Sequence, residues 1–189
     1  MDAITLLRDD HKTVEGLFKK FEKAGPTAKK TKRDLVDKIV TELAVHAAIE
    51  ELVFYPAVRQ ALPDASDEVL EGLEEHHVVK WTLSELADMA PAHERFDPKM
   101  RVLIESVRHH AKEEEDELFP QVRDAFTVQQ LEEMGEALEK AKETAPTLPH
   151  PRMPDTPPFN VLLGLPASVL DKAIKTGRDA VERVMKKAS

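Results

Sequence analysis

The chain writes one eleven-residue phrase twice. HAAIEELVFYP at 46–56 and HAKEEEDELFP at 110–120 each place His four residues ahead of Glu, as His46/Glu50 and His110/Glu114. A second Glu follows in both (Glu51, Glu115), then an apolar pair and a Pro at the same offset. Residues four apart on a helix differ by about 40° of rotation, so each pair points an imidazole and a carboxylate the same way. Leu43, Ala47 and Phe54 bracket the first pair, and Val107, Ala111 and Leu118 the second, which turns both toward a core. A buried charge costs several kcal/mol unless it is paired or bound to metal. The same costly pair written twice, on two helices able to face each other, points to one shared compensating partner.

Two further histidines complete the set. His11 shares a helical face with Leu7, Val14 and Phe18, and His76 leads Val79 and Leu83 at the same kind of spacing. His77 lies about 100° further round, nearer the surface. His46 stands 35 residues after His11 and His110 stands 34 after His76, so the chain reads as two helical hairpins, each with one lone His and one His-x-x-x-Glu. Packed about a pseudo-twofold axis, they bring four imidazoles and two carboxylates together. That donor set suits two iron or manganese ions bridged by carboxylates; a structural zinc site closes with four ligands, often including Cys. The metal-free alternative is a bundle with buried His/Glu hydrogen bonds.

The neighbours read more plainly. Glu113, Glu115, Asp116 and Glu117 are expected on a solvated acidic face. His109 is rotated from His110 toward solvent or toward the rear of the ligands, and His93 and His150 fall in predicted loops with no assigned role. Tyr55 is the only tyrosine. On an ideal helix it points away from His46. A kink at Pro56 would swing its phenol toward a metal; otherwise it packs like its counterpart Phe119.

The elements that must hold these residues are long helices. Ile4, Leu7, Val14, Leu17, Phe18 and Phe21 stripe a helix from about Asp2 to Ala24, ended by Gly25-Pro26. A second runs from about Thr27 to Ala61 on Leu35, Val36, Ile39, Val40, Leu43, Ala47 and Phe54, with Pro56 loosening its last turn. Ser66 is the expected N-cap of a third, with Val69, Leu70, Leu73, Val79, Leu83 and Leu86 inward and Pro91 as its stop. Asp97-Pro98 opens a fourth, striped by Met100, Leu103, Ile104, Val107, Ala111 and Leu118, and Pro120 repeats the late kink. Thr127-x-x-Gln130 is a capping box for a short fifth helix to about Glu143. No window alternates with period two. The expected fold is all-α, an up-down-up-down four-helix bundle over 1–125, with an additional helix at 126–144.

Beyond that the character changes. Residues 145–158 are Pro-rich and read as extended linker. Residues 159–189 read as an amphipathic C-terminal helix, with Val169, Leu170, Ala173, Ile174, Ala180, Val181, Val184 and Met185 on one face. Six Lys/Arg and three Asp/Glu occupy the other, so the segment is expected to pack on the bundle, pair in a homodimer, meet a partner protein or lie on a membrane surface.

Composition narrows the classes. The chain has 189 residues, 41% of them hydrophobic, which suffices for a core, and a net charge of −9, which argues against nucleic-acid binding. It has no Cys, which removes disulfides, thiolate nucleophiles and iron–sulfur ligation and agrees with a cytoplasmic location. The start MDAITLLRDDHK has no basic-then-apolar leader, and no stretch approaches about 18 apolar residues, so neither a signal peptide nor a membrane span is expected.

RDDHKTV around His11, HAAIEELVFYP, EEHHVVK around His76 and HAKEEEDELFP together resemble the hemerythrin-like family, in its HHE cation-binding branch, over roughly residues 1–125. The resemblance implies a four-helix bundle holding a non-heme di-iron centre. It makes His11, His46, His76 and His110 terminal iron ligands and lets Glu50 and Glu114 bridge the irons with an oxo or hydroxo group. Oxygen-carrying members add a fifth imidazole four residues after the third-helix His, where this chain has Lys80. They also place an Asp five after the fourth-helix His, where it has Glu115. A protonated Lys cannot ligate. The spare position is then open, or filled by water, Tyr55 or His77. That arrangement favours chemistry on small oxidants over reversible oxygen carriage: catalase-like turnover of hydrogen peroxide, or binding of oxygen or nitric oxide. The alternatives are a redox or iron sensor signalling through the C-terminal segment, and iron storage.

Overall fold

The computed structural model describes residues 1–152; the C-terminal helix expected at 159–189, and residues 153–158 of the linker before it, lie outside them. The described residues form an all-α bundle. Its helices are α1 (Ala3–Lys23), α2 (Lys29–Ile49), α3 (Tyr55–Ala61), α4 (Ser66–Asp88), α5 (Phe96–Glu113), α6 (Phe119–Ala125) and α7 (Val128–Lys142). α1 and α2 form one hairpin and α4 and α5 the other. α2 runs into α3, and α5 into α6, through a single wide turn, so the bundle has four long rods in up-down-up-down order.

The predicted stripes are the buried ones. Ile4, Leu7, Phe18, Val36, Ile39, Leu83, Leu86 and Met100 are fully or almost fully buried, each contributing about 1.5–3 kcal/mol of transfer free energy. The core falls into two apolar layers. One gathers Phe18, Phe21, Ile39, Leu83, Phe96 and Leu103. The other gathers Ile4, Leu7, Phe54, Leu118, Phe119 and the inner face of α7. Two expectations change. Leu70 is 44% exposed, because it lies about 120° around α4 from His76, outside the arc that faces the core. Ser66 is the first helical residue rather than the cap, because a 3₁₀ turn at Pro63–Ala65 leads directly into α4.

α7 starts on the expected capping box, Thr127 and Gln130 each bonding the other's backbone or side chain. It packs on α1, where Gly135 passes close to the N-terminus: a Cβ there would lie 2.1 Å from the Met1 carbonyl oxygen. Among the described residues, no helix is long and apolar enough to cross a membrane.

The late kinks are π turns, at Glu50–Phe54 and Glu114–Leu118. Proline lacks an N–H, and its ring collides with the carbonyl four residues back. Widening the turn relieves that collision: the Tyr55 N–H donates to the Glu50 carbonyl and the Phe119 N–H to that of Glu114, five residues back in each case. The extra residue sets everything after it back by about 100°. Tyr55 would otherwise lie about 180° from His46; with the π turn it returns to the side of Glu50.

Candidate metal centre

Between the two apolar layers lies a polar one. His46, His76, His110, Glu50 and Glu114 are all at most 6% exposed, and the His11 side chain 8%. α1 contributes His11, α2 His46, α4 His76 and α5 His110; the first residue of each π turn supplies a carboxylate. Each hairpin brings its imidazoles together, Nε2 to Nε2, at 3.2 Å for His11/His46 and 3.1 Å for His76/His110. Two lone pairs cannot face each other at that distance, so each pair must share a proton or a cation. Glu50 Oε2 lies 3.3 Å from Nε2 of both His46 and His76 and so joins the two halves. Glu114 Oε2 lies 3.3 Å from His11 Nε2 and 3.7 Å from His110 Nε2.

The outward nitrogens are held as regularly. Nδ1–H of His11 donates to Glu115 (2.9 Å), of His46 to Asp10 (3.5 Å), of His76 to Glu51 (3.1 Å) and of His110 to Glu75 (2.7 Å). These partners obey the pseudo-twofold. Asp10 and Glu75 immediately precede the lone His of each hairpin, and Glu51 and Glu115 immediately follow the motif Glu. A carboxylate on Nδ1 fixes the tautomer that turns the Nε2 lone pair inward and raises its basicity. Sequence reasoning placed Glu115 on the solvated face and gave Asp10, Glu51 and Glu75 no role. Glu115 is only half-exposed because α1 packs over it. Asp116 and Glu117 do face solvent, and Glu113 is half-exposed like Glu115.

The electrostatics follow the geometry. Burial lowers His46 to about 4 against the pull of Asp10, and burial with the adjacent His110 lowers His76. For His11 and His110 burial is outweighed by Glu114 and by their own Nδ1 carboxylates, and both are raised. Each Nε2 pair thus contains one imidazole that favours a proton and one that refuses it. Burial and the charge of Glu114 raise Glu50 well above the carboxylate range. Glu114 would rise with burial too, but His110, His11 and His46 hold it far below.

Both oxygens of Glu50 and Oε2 of Glu114 are buried and accept no hydrogen bond. Such orphaned acceptors cost about 1–3 kcal/mol each, more when charged. They lie within ligand reach of the imidazoles: His11, His46, Glu50 and Glu114 form one group, and Glu50, His76 and His110 another, each with ligand atoms within 4.8 Å of one another. Imidazole nitrogen and carboxylate oxygen are the donors for iron, manganese or zinc. The residues fit a pair of cations.

Tyr55 joins them. Its hydroxyl donates to Glu114 Oε1 at 2.9 Å and sits 3.5 Å from His110 Nε2, while burial and the charges of Glu114 and Glu50 raise its phenol well above 10. Gly72 leaves room for it; a Cβ there would lie 3.0 Å from the hydroxyl. Phe119, its counterpart, stacks on His11. His77 is not brought in: it is half-exposed, 3.9 Å from Glu74. Lys80 donates to Glu51 at 2.6 Å and so backs His76 from outside.

A cavity of about 340 Å³ opens beside the four imidazoles. Val14, Phe18, Leu43 and Val107 form its apolar wall, and Lys12, Arg108 and Lys112 line it together with Glu15, Glu115 and Asp116.

Comparison with known proteins agrees with this geometry. Residues 2–122 match the family model for the hemerythrin HHE cation-binding domain. The chain is 30% identical to an uncharacterised hemerythrin-like protein of Schizosaccharomyces pombe, over 92% of this chain and 83% of that one. It is 27% identical to a DNA nickase of Nostoc sp., over 75% of this chain but only 39% of the nickase. A crystal structure of a hemerythrin HHE cation-binding domain-containing protein from Mycobacterium kansasii superposes with a TM-score of 0.65 at 24% identity, covering 97% of this chain and 99% of that one.

Proposed function

The chain belongs to the hemerythrin HHE cation-binding domain family, and from that premise we propose that it is a non-heme di-iron protein acting on a small oxidant, with hydrogen peroxide as the substrate its centre suits best. The observation that carries this is the buried set of four imidazoles and two under-bonded carboxylates beside a largely apolar cavity. His11 and His46 would hold one iron, His76 and His110 the other, and Glu50 and Glu114 would be shared. Two bound irons supply reversible electron transfer and Lewis acidity, which no side chain of this chain provides.

The chain's own residues shape what reaches that centre. The cavity has room for about ten waters, enough for peroxide, dioxygen or nitric oxide. Its apolar wall keeps out competing solutes. Tyr55 brings an uncharged O–H to the cluster, its hydroxyl donating to Glu114 Oε1. It orients Glu114 and stands where it can exchange a proton with it, 3.5 Å from Nε2 of His110, which with His76 would hold one iron. Asp10, Glu51, Glu75 and Glu115 hold the imidazoles in the ligating tautomer.

The test uses purified full-length protein loaded with ferrous ion and given hydrogen peroxide under an oxygen electrode. Oxygen release well above that of an equal amount of free iron supports the assignment. Release at the free-iron rate removes the peroxide chemistry and leaves a cation-binding bundle.

A further inference from the structure

Three of the four carboxylates that hold an imidazole from behind carry a basic side chain. Lys142 pairs with Asp10 at 2.5 Å, Lys80 with Glu51 at 2.6 Å, and Arg8 with Glu115 at 3.6 Å. Glu75 is the exception: among the described residues its bonding partner is His110 and no lysine or arginine meets it. What stands beside it is His109 and Glu113, one turn apart on α5, with His109 Nε2 3.2 Å from Glu113 Oε1. One ligand atom from each of Glu75, His109 and Glu113 lies within 4.8 Å of the others. The site therefore has metal donors in the place where its three equivalents have a cation.

The surroundings fit a divalent ion. A crevice of about 60 Å³ runs from Glu75 and Glu113 inward to Tyr55, His110 and Glu114. Six carboxylates line it and no lysine or arginine does. At its floor Glu114 is 4% exposed and its Oε2 accepts no hydrogen bond. A cleft of one sign with low-dielectric walls concentrates counter-ions. The larger cavity balances Lys12, Arg108 and Lys112 against Glu15, Glu115 and Asp116 and so lacks this single-signed lining.

We propose that Glu75, His109 and Glu113 form an outer divalent-cation site that captures ferrous ion and passes it along the acidic crevice to the buried centre. This rests on the di-iron reading above. The ion arrives hydrated, exchanges waters for one imidazole and two carboxylates, and is then drawn toward Glu114 by a second, less solvated set of donors.

The test follows anaerobic uptake of ferrous ion by full-length apoprotein in a stopped-flow instrument. His109 is 66% exposed and Glu113 40%, so the double variant H109A/E113Q keeps the bundle intact. It is expected to load about tenfold more slowly than wild type, since focusing by such a cleft is worth that much or more. Its final iron content and visible spectrum should match the wild type's. Lys12→Met and Lys112→Met, in the larger cavity, should leave the rate unchanged. Equal rates for H109A/E113Q and wild type overturn the outer site while leaving the di-iron reading standing. Failure of wild type to take up iron at all overturns that reading instead. A second measurement adds Mn²⁺ to iron-loaded protein: one further ion seen by electron paramagnetic resonance, and lost in H109A/E113Q, supports the site. Its absence in wild type refutes it.

Discussion

The two halves of the centre, His11/His46 and His76/His110, are built from the same parts and finished differently. Both have an Nε2 pair at just over 3 Å, a π turn opening on a shared Glu, and a carboxylate behind each imidazole. They differ around that frame. One half stacks Phe119 on His11; the other places the Tyr55 hydroxyl between Glu114 and His110. One backs its lone His with a half-exposed Glu115; the other with a buried Glu51 locked to Lys80. The repeated parts are those that any cation pair needs. The unmatched parts make the two halves inequivalent, with the Tyr55 hydroxyl beside only one of them.

The largest effect should come from the groups the halves share. Glu50→Gln removes a carboxylate charge common to both groups, and Glu114→Gln one whose Oε2 lies between His11 and His110. Metal affinity should fall by more than the ~10–100-fold that loss of an outer partner costs; competition with a chelator measures it. The next comparison sets Glu51→Ala against Glu115→Ala. The first strands the nearly buried Lys80 amine and the His76 Nδ1–H, and should destabilise by about 3–5 kcal/mol. The second strands the His11 Nδ1–H but leaves only the half-exposed Arg8 without its carboxylate, and should cost less, about 1–3 kcal/mol. Urea melts of the two proteins would separate them, and equal losses would show the halves to be equally buttressed.

His46 gives a pH signature. Its folded pKa of about 4 lies below its ordinary 6.5, so between those values the unfolded chain binds the extra proton and stability rises with pH. The contribution is complete above pH 6.5 and lost as pH falls to 4, a span of roughly 3 kcal/mol. His11 and His110, raised, work in the opposite sense, so the test is the difference between wild-type and H46N apoproteins. The wild type should lose stability relative to the variant across that window, and parallel curves would contradict it. For the metal itself the smallest effect is Tyr55→Phe, which gives the second half a phenyl ring as the first has in Phe119. It leaves Glu114 Oε1 without its donor, costs about 1–3 kcal/mol, and should leave metal content unchanged while slowing peroxide turnover.

Much of this could be read from the chain. The four rods followed from apolar period and Gly/Pro punctuation, and the duplicated phrase with its two lone histidines singled out the six residues that the fold brings together. The outer ring was visible only as adjacency. Asp10 and Glu75 sit one residue before a histidine of the cluster, and Glu51 and Glu115 one residue after Glu50 and Glu114. Neighbours on a helix diverge by about 100°, so whether one reaches an imidazole depends on which helix packs alongside. A single sequence does not contain that. Tyr55 was placed by a π turn, for which Pro56 was the only written sign, and Lys80 was legible as a missing imidazole though not as the partner of Glu51. Leu70 fitted the apolar pattern yet fell outside the buried arc.

The central claim, that six side chains from four helices converge on two cations, is tested most directly by elemental analysis of full-length protein reconstituted with ferrous ion, beside a Glu50→Gln/Glu114→Gln double variant. The expected result is two irons per chain in the wild type and fewer than one in the variant, with the same helical circular dichroism. Wild-type protein that is fully helical yet holds no more iron than the variant would contradict it.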